Sequence, residues 1–196
     1  MQQPLPGERA HEEMAPDFRE RMLKEGLHTA PPIPSAVLIL LYKKEGEWHI
    51  PFIRRVVDNR AHSGQVSLPG GRKEQRDYDL KATAMRETRE EIGIPHEKIK
   101  VMGTLTPLYI PISNFLVTPY VGFHTGENLS FIPSPKEVSY IIEAPVTMLM
   151  DTTNKITYPV EKETIAPAFR IHNEVIWGAT SMIINELIHL TRHKTV

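Results

Sequence analysis

Three glutamates, Glu87, Glu90 and Glu91, stand at i, i+3 and i+4 within the run Met85-Arg86-Glu87-Thr88-Arg89-Glu90-Glu91-Ile92-Gly93-Ile94. At about 100° per helical residue they share an arc of roughly 100°. Like charges at those spacings cost a helix about 0.2–0.5 kcal/mol per pair, so the triplet calls for a cation. Ligands that are all oxygen suit a hard divalent ion, Mg²⁺ first and Mn²⁺ second. Arg86 sits one turn before Glu90 and can orient it, while Met85, Thr88 and Ile92 supply a stripe to pack inward. The glutamates are expected to face solvent, so that Glu91→Gln removes a ligand without disturbing the core. A plain solvated acidic helix is the alternative. The flanks argue against it, because Leu68-Pro69-Gly70-Gly71 lets backbone approach a ligand and Gly93 follows as a helix C-cap should.

This segment resembles the Nudix box, Gly-x5-Glu-x7-Arg-Glu-U-x-Glu-Glu-x-Gly-U with U aliphatic, of hydrolases that cleave nucleoside diphosphates linked to another group. Arg86-Glu87, Glu90-Glu91, Gly93 and Ile94 fit, with Thr88 at an aliphatic position. The first half departs: the loop from Gly71 to Arg86 is one residue longer, and Tyr78 replaces the first glutamate. Asp77 and Asp79 flank it, and one of the two is expected to cap the helix or pair with Arg86. The resemblance implies Glu90 and Glu91 as metal ligands together with a backbone carbonyl near Gly71. It leaves Glu87 as ligand or general base, with Arg86 in support.

Upstream, Arg55, Arg60, Gly64, Pro69, Gly70 and Gly71 fall at the intervals of the motif preceding the box in the coenzyme A pyrophosphatase branch, which this chain is similar to. Val56, Leu68 and Pro51-Phe52-Ile53 depart from that motif. Arg55, Arg60 and His62 beside a glycine-rich turn form a sensible phosphate clamp, because guanidinium groups bind phosphate oxygens bidentately; Gly70 adds backbone. Alternatively, Arg55 is the polar end of a strand and His62 a turn residue. The resemblance implies hydrolysis of coenzyme A or its derivatives to 3′,5′-ADP and 4′-phosphopantetheine by a homodimer. Two other readings are a broader pyrophosphatase acting on ADP-ribose, nucleotide sugars or nucleoside triphosphates, and a nucleotide sensor that has lost catalysis.

The elements that must position these residues follow from patterning. With 196 residues and 40% hydrophobic content, one core is affordable. A net charge of −1 without a basic block argues against a nucleic-acid surface, and zero cysteines exclude thiol catalysis, disulfides and thiolate metal sites. No stretch reads as a membrane span or signal peptide, so a soluble cytoplasmic protein is expected; the small-molecule nucleotide partner is what the resemblance implies. Residues 1–35 read as an arm with one helix near Asp17–Lys24, packed on the domain or on a partner subunit, and residues 36–196 as the catalytic domain. Strands are expected at Ala36–Tyr42, Trp48–Val56, Ile99–Tyr109, Phe115–His124, Val138–Glu143 and Phe169–Ile176. Helices are expected at Pro145–Met150 and Ala179–Arg192, the latter with Met182, Ile183, Leu187 and Leu190 as its apolar stripe. Strands on both sides of one helix, closed by another, give an α/β/α sandwich around a mixed sheet, as in Nudix domains. Glu137 and Glu143 are candidates for an additional acid near the metal, or else solvated carboxylates. His189 and His193 have the spacing of a zinc pair but no third ligand, and a solvated helix end is the better reading.

Overall fold

The computed structural model describes residues 4–58, 62–126, 129–161 and 164–192. Two short helices, α1 (Gly7–Glu12) and α2 (Arg19–Glu25), precede the long strand β1 (Ile33–Lys44), which turns through Glu45-Gly46 into β2 (Glu47–Arg55). The short strands β3 (Val66–Ser67) and β4 (Gly70–Arg72) lead to helix α3 (Leu80–Ile92). Then come β5 (Ile99–Thr104), β6 (Leu108–Ile110), β7 (Phe115–His124), β8 (Val138–Pro145) and α4 (Val146–Met150). A three-stranded meander, β9 (Lys155–Glu161), β10 (Thr164–Ile171) and β11 (Glu174–Trp177), runs into α5 (Ala179–Arg192).

β1 organises the main sheet. It runs parallel to β7 from Ile33 to Leu41, takes β4 antiparallel at Ser35–Val37, and pairs with β2 beyond Tyr42. Its side chains alternate as a strand buried on both faces must. Ala36, Leu38 and Leu40 pack with Ala84 and Ile92 of α3. Ile39 lies on the other face with Phe169, Ile176, Met182 and Ile184, from the meander and α5. Helix, mixed sheet, then meander with helix is the sandwich anticipated from the pattern.

Local details differ from the sequence reading where polar anchors or turns interrupt the apolar runs. Ile99–Tyr109 is not one strand; it breaks at Leu105-Thr106-Pro107, where the Thr106 N–H and hydroxyl donate to Glu186. Phe169–Ile176 is the tip of a hairpin rather than a strand, reversing at His172, whose φ of 54° is left-handed. The arm has two helices, and its first is clamped onto α5. His11 Nε2 lies 2.9 Å from Glu186 Oε2, Asn185 donates to the Ala10 carbonyl at 2.8 Å, and His189 Nε2 meets Glu13 at 2.8 Å. That clamp buries Asn185 and Glu186 alongside Met182, Ile183, Ile184 and Ile188, leaving Leu187 and Leu190 only partly covered. His189 thus serves the arm, and His193 lies outside the described residues.

Candidate active site

Helix α3 is fixed at both ends. Asp79 is its N-cap, accepting from the Ala82 N–H at 2.7 Å, and Gly93 closes it in the left-handed conformation at φ 76°. The two loop aspartates divide the tasks that the sequence left open between them. Asp79 caps, and Asp77 takes Arg86 through two bonds of 2.9 Å, Nε to Oδ1 and Nη2 to Oδ2. The Glu74 N–H and the Thr83 hydroxyl also donate to Asp77, at 2.9 and 3.0 Å. The paired guanidinium holds the Asp77 carboxyl well below the ordinary aspartate range. The remaining nitrogen of Arg86, Nη1, reaches Glu87 Oε1 at 2.8 Å and Glu90 Oε2 at 2.9 Å.

The helix therefore presents its three glutamates unequally. Glu90 is exposed and held between Arg86 and Arg76, whose Nη2 lies 2.8 Å from Glu90 Oε1. Glu87 and Glu91 turn toward the sheet, where Glu137 joins them; one carboxylate oxygen from each of the three lies within 4.8 Å of the others. The expectation of a solvent-facing Glu91 is corrected here: its side chain is 2% exposed and accepts the Gly70 N–H at 2.8 Å. Packing explains the difference, since Glu91 follows Thr88 and Ala84 on the face that α3 lays against β1 and β4. Burial raises the Glu91 pKa to about 8, with Glu87 and Glu137 adding to the rise and the Gly70 N–H and Arg55 opposing it. Glu87 is also raised by burial, against the pull of Arg86.

Glu137 arrives by backbone zipping. The Ile132 N–H donates to Ile92 and the Ser134 N–H to Glu91 at the end of α3, while the Val56 N–H donates to the Glu137 carbonyl. A tight turn in which Glu137 N–H bonds Ser134 O then aims the side chain back at Glu91. The other candidate, Glu143, accepts from Tyr42 and Lys44 at 2.5 and 3.0 Å and is not among the three clustered carboxylates.

The two glycines are required for different reasons. A Cβ on Gly70 would lie 2.4 Å from the Ala36 carbonyl oxygen and 2.6 Å from Val37 Cα, inside the backbone of β1. A Cβ on Gly71 would lie 2.4 Å from Glu87 Oε1, in the carboxylate cluster itself. Arg55, at the end of β2, points a guanidinium nitrogen to 3.6 Å from Glu91 Oε1. His62 adopts φ 65°, places Nδ1 3.2 Å from Gln65 Oε1, and leaves Nε2 buried without a partner among the described residues. Burial and the charge of Arg55 lower its pKa, against the Gln65 bond. Arg60 lies outside the described residues.

Arg55, His62, Gly70, Gly71, Glu87, Glu91 and Glu137 line one cleft of about 630 Å³, whereas Asp77, Asp79, Arg86, Glu90 and Glu143 do not. At one end are Arg55, Glu87, Glu91, Glu137 and the glycines; its wall continues to Phe115, Trp177 and Ile183. The hydroxyls of Ser67 and Ser113 are buried in this lining without partners among the described residues. Phe115, Ser113 and Ser67 escaped the sequence reading because no local motif marks them; only the pairing of β7 with β1 brings Phe115 beside Ile33, ahead of the stretch of β1 that takes β4.

This geometry has known counterparts. A model of the NUDIX domain matches residues 32–154. The uncharacterized Nudix hydrolase NudL of Pectobacterium atrosepticum is 36% identical over 139 residues, covering 68% of this chain and 70% of the relative. NudL of Photorhabdus laumondii is 36% identical over the same length, covering 72% of that protein. Among solved structures, the Nudix hydrolase RenU of M. smegmatis superposes with a TM-score of 0.58 at 16% identity, covering 85% of this chain and 90% of that one. The MutT protein of Methanosarcina mazei Go1 gives 0.56 at 18%, covering 85% and 99%; both share the fold. With a loop-helix-loop that gathers carboxylates beneath a double glycine, and relatives this similar over two thirds of its length, the chain belongs to the Nudix hydrolases, enzymes of pyrophosphate-bond hydrolysis that generally use divalent metal ions.

Proposed function

We propose that this enzyme hydrolyses the diphosphate bridge of coenzyme A or its derivatives, giving 3′,5′-ADP and 4′-phosphopantetheine, with Mg²⁺ or Mn²⁺ held at the cluster of Glu87, Glu91 and Glu137. The observation that carries the reading is Arg55: the arginine of the coenzyme A-type motif stands 3.6 Å from Glu91, at the lip of the carboxylate cluster. A guanidinium there can bind a phosphate oxygen of the bridge while the scissile phosphorus faces the carboxylates.

The donor set fits a hard divalent cation. Three oxygen ligands converge within 4.8 Å, and burial, with the charges of Glu87 and Glu137 adding to it, raises Glu91 to about 8, a cost that a cation offsets. Such an ion supplies charge neutralisation of the diphosphate and a more acidic water. The protein's own groups do the rest. Arg86 keeps Glu87 and Glu90 in place and is itself fixed by Asp77. Glu90, on the rim of the same helix, is a further ligand reached by exchanging Arg76 for the ion. The Gly71 backbone carbonyl completes the proposed ligand set, and the lack of a Cβ keeps Glu87 close to it. Either Glu87 or Glu137 takes the proton from the attacking water. Gly70 and His62 contribute to the substrate's lodging, Arg60 to its phosphates, and the active unit is a homodimer.

The test is one panel: coenzyme A, dephospho-coenzyme A, ADP-ribose, NADH and nucleoside triphosphates with Mg²⁺ or Mn²⁺, reading kcat/KM and products. The expected result is preference for coenzyme A with 3′,5′-ADP released. A preference of about tenfold or more for ADP-ribose or a triphosphate, a difference of about 1.4 kcal/mol, overturns the substrate and leaves the hydrolase.

A further inference from the structure

A second, smaller cavity opens off the catalytic cleft and has the arm for a wall. It measures about 60 Å³ and shares His62, Gln65, Ile110, Trp177 and Ala179 with the larger cleft. Its outer side is Pro16, Phe18, Arg19 and Met22, all from the segment that leads into and through α2; Met182 of α5 forms part of its inner side. α2 has no buried residue of its own, so core packing does not account for its placement there.

Two polar groups in this lining have no partner among the described residues, and they differ in kind. At the doorway, Gln65 Oε1 faces His62 Nδ1, which puts the ring proton on Nδ1 and leaves the buried Nε2 as an acceptor. An acceptor in that position suits an N–H on the ligand. On the outer wall, the Arg19 side chain has no ion pair, and burial alone, with no carboxylate opposing it, lowers its pKa. A partly desolvated guanidinium without a counter-charge suits an anion. Between the two lie apolar walls. An engineered apolar cavity of about 150 Å³ accepts the six carbons of benzene, so this pouch has room for about two or three methylene groups.

We propose that the pouch binds the distal end of the substrate's non-nucleoside half, and that this end is a short acyl chain bearing a terminal carboxylate. The groups of such a thioester divide at the lining shared by the two cavities: the cysteamine amide, its two methylenes, the sulfur and the thioester carbonyl on the cleft side, with the amide N–H toward His62 Nε2, then only the two acyl methylenes in the pouch against Met22 and Met182, and the carboxylate toward Arg19. The inference rests on the coenzyme A reading of the same site. Arg19 and Met22 are specificity residues, remote from the carboxylate cluster and outside the core, so replacing them leaves the fold and the chemistry in place.

The experiment compares kcat/KM for free coenzyme A, butyryl-coenzyme A, succinyl-coenzyme A and palmitoyl-coenzyme A in wild type, Arg19→Gln, Arg19→Lys and Met22→Trp. Succinyl-coenzyme A should exceed butyryl-coenzyme A by about fivefold in wild type, the size of a partly exposed ion pair. Arg19→Gln should erase that ratio without changing free coenzyme A, Arg19→Lys should keep part of it, and Met22→Trp should lower both short thioesters relative to free coenzyme A. Palmitoyl-coenzyme A should be poor in every variant. If wild type turns over all four alike, or prefers butyryl to succinyl, or if Arg19→Gln keeps the wild-type ratio, the pouch assignment falls while the coenzyme A reading stands. If free coenzyme A and its thioesters are all inert while another diphosphate is cleaved, both fall together.

Discussion

Replacing Glu91 by Gln should make the metal-free protein more stable while removing its response to metal. Glu91 is buried, and its pKa in the fold stands at about 8 against an ordinary 4.5. A carboxyl whose pKa is raised by folding contributes most stability below the unfolded value and loses it as pH climbs to the folded one. The window is therefore pH 4.5 to about 8. Each tenfold fall in proton activity across it costs about 1.4 kcal/mol, so at pH 7.5 the metal-free fold has given up about 3–4 kcal/mol. Gln has the shape of the protonated acid and keeps an oxygen for the Gly70 N–H, now 2.8 Å away, while its amide can donate to Glu87 or Glu137. In EDTA at pH 7.5, Tm of Glu91→Gln should exceed wild type by about 6–16 °C, at about 2–4 °C per kcal/mol for a chain of this size. The difference should shrink toward zero at pH 4.5. Adding Mg²⁺ or Mn²⁺ should raise wild-type Tm by binding linkage and barely move the variant, whose turnover should fall by orders of magnitude. A variant less stable than wild type at pH 7.5 without metal, or one with the same pH slope, refutes the reasoning.

Gly71→Ala should fold with near-normal Tm yet lose at least about tenfold in kcat, because the new methyl displaces the Glu87 carboxylate, 2.4 Å from where the Cβ would stand; an unchanged kcat would refute that placement. Gly70→Ala should instead fail to accumulate as soluble protein, since its Cβ meets the β1 backbone, which cannot yield. Asp77→Asn should lower stability by about 2–4 kcal/mol in urea titrations at neutral pH, having left Arg86 short of its main partner. Because pairing depresses the Asp77 pKa, the wild-type advantage should be fully present above pH 3.8 and decline progressively as pH falls from there toward the depressed native value.

The sequence made α3 legible because the helix carries its own punctuation: an aspartate cap, a periodic acidic face and a closing glycine. The same logic found α5 from Ala179 to Arg192. It failed on which faces are buried, since burial depends on what arrives from far along the chain. Nothing local to Asn185 and Glu186 says that residues 7–13 will cover them, and nothing near Glu91 says that the Gly70 N–H will. Glu137 was ambiguous for the same reason. Its role depends on hydrogen bonds from 132–138 to the end of α3 and to Val56, which no periodicity encodes. His172-Asn173 reverses the chain in a two-residue turn without the usual glycine, so Phe169–Ile176 reads in the sequence as one strand.

The cluster itself shows why the arginine network takes its particular form. Three carboxylates brought within 4.8 Å of one another repel, and the chain could have relieved this by pairing each with a cation. It pairs them unevenly instead. Arg86 is committed first to Asp77, which is not part of the cluster, and spends one remaining nitrogen on both Glu87 and Glu90. Arg55 stops 3.6 Å short of Glu91, beyond a good hydrogen bond. An Arg86 free to swing onto Glu87 and Glu91 would neutralise the site and compete with a metal ion. Asp77 prevents that by holding two of its nitrogens. Restraining Arg86 thus preserves the negative field at the cluster, which adds to burial in raising the Glu91 carboxyl to about 8.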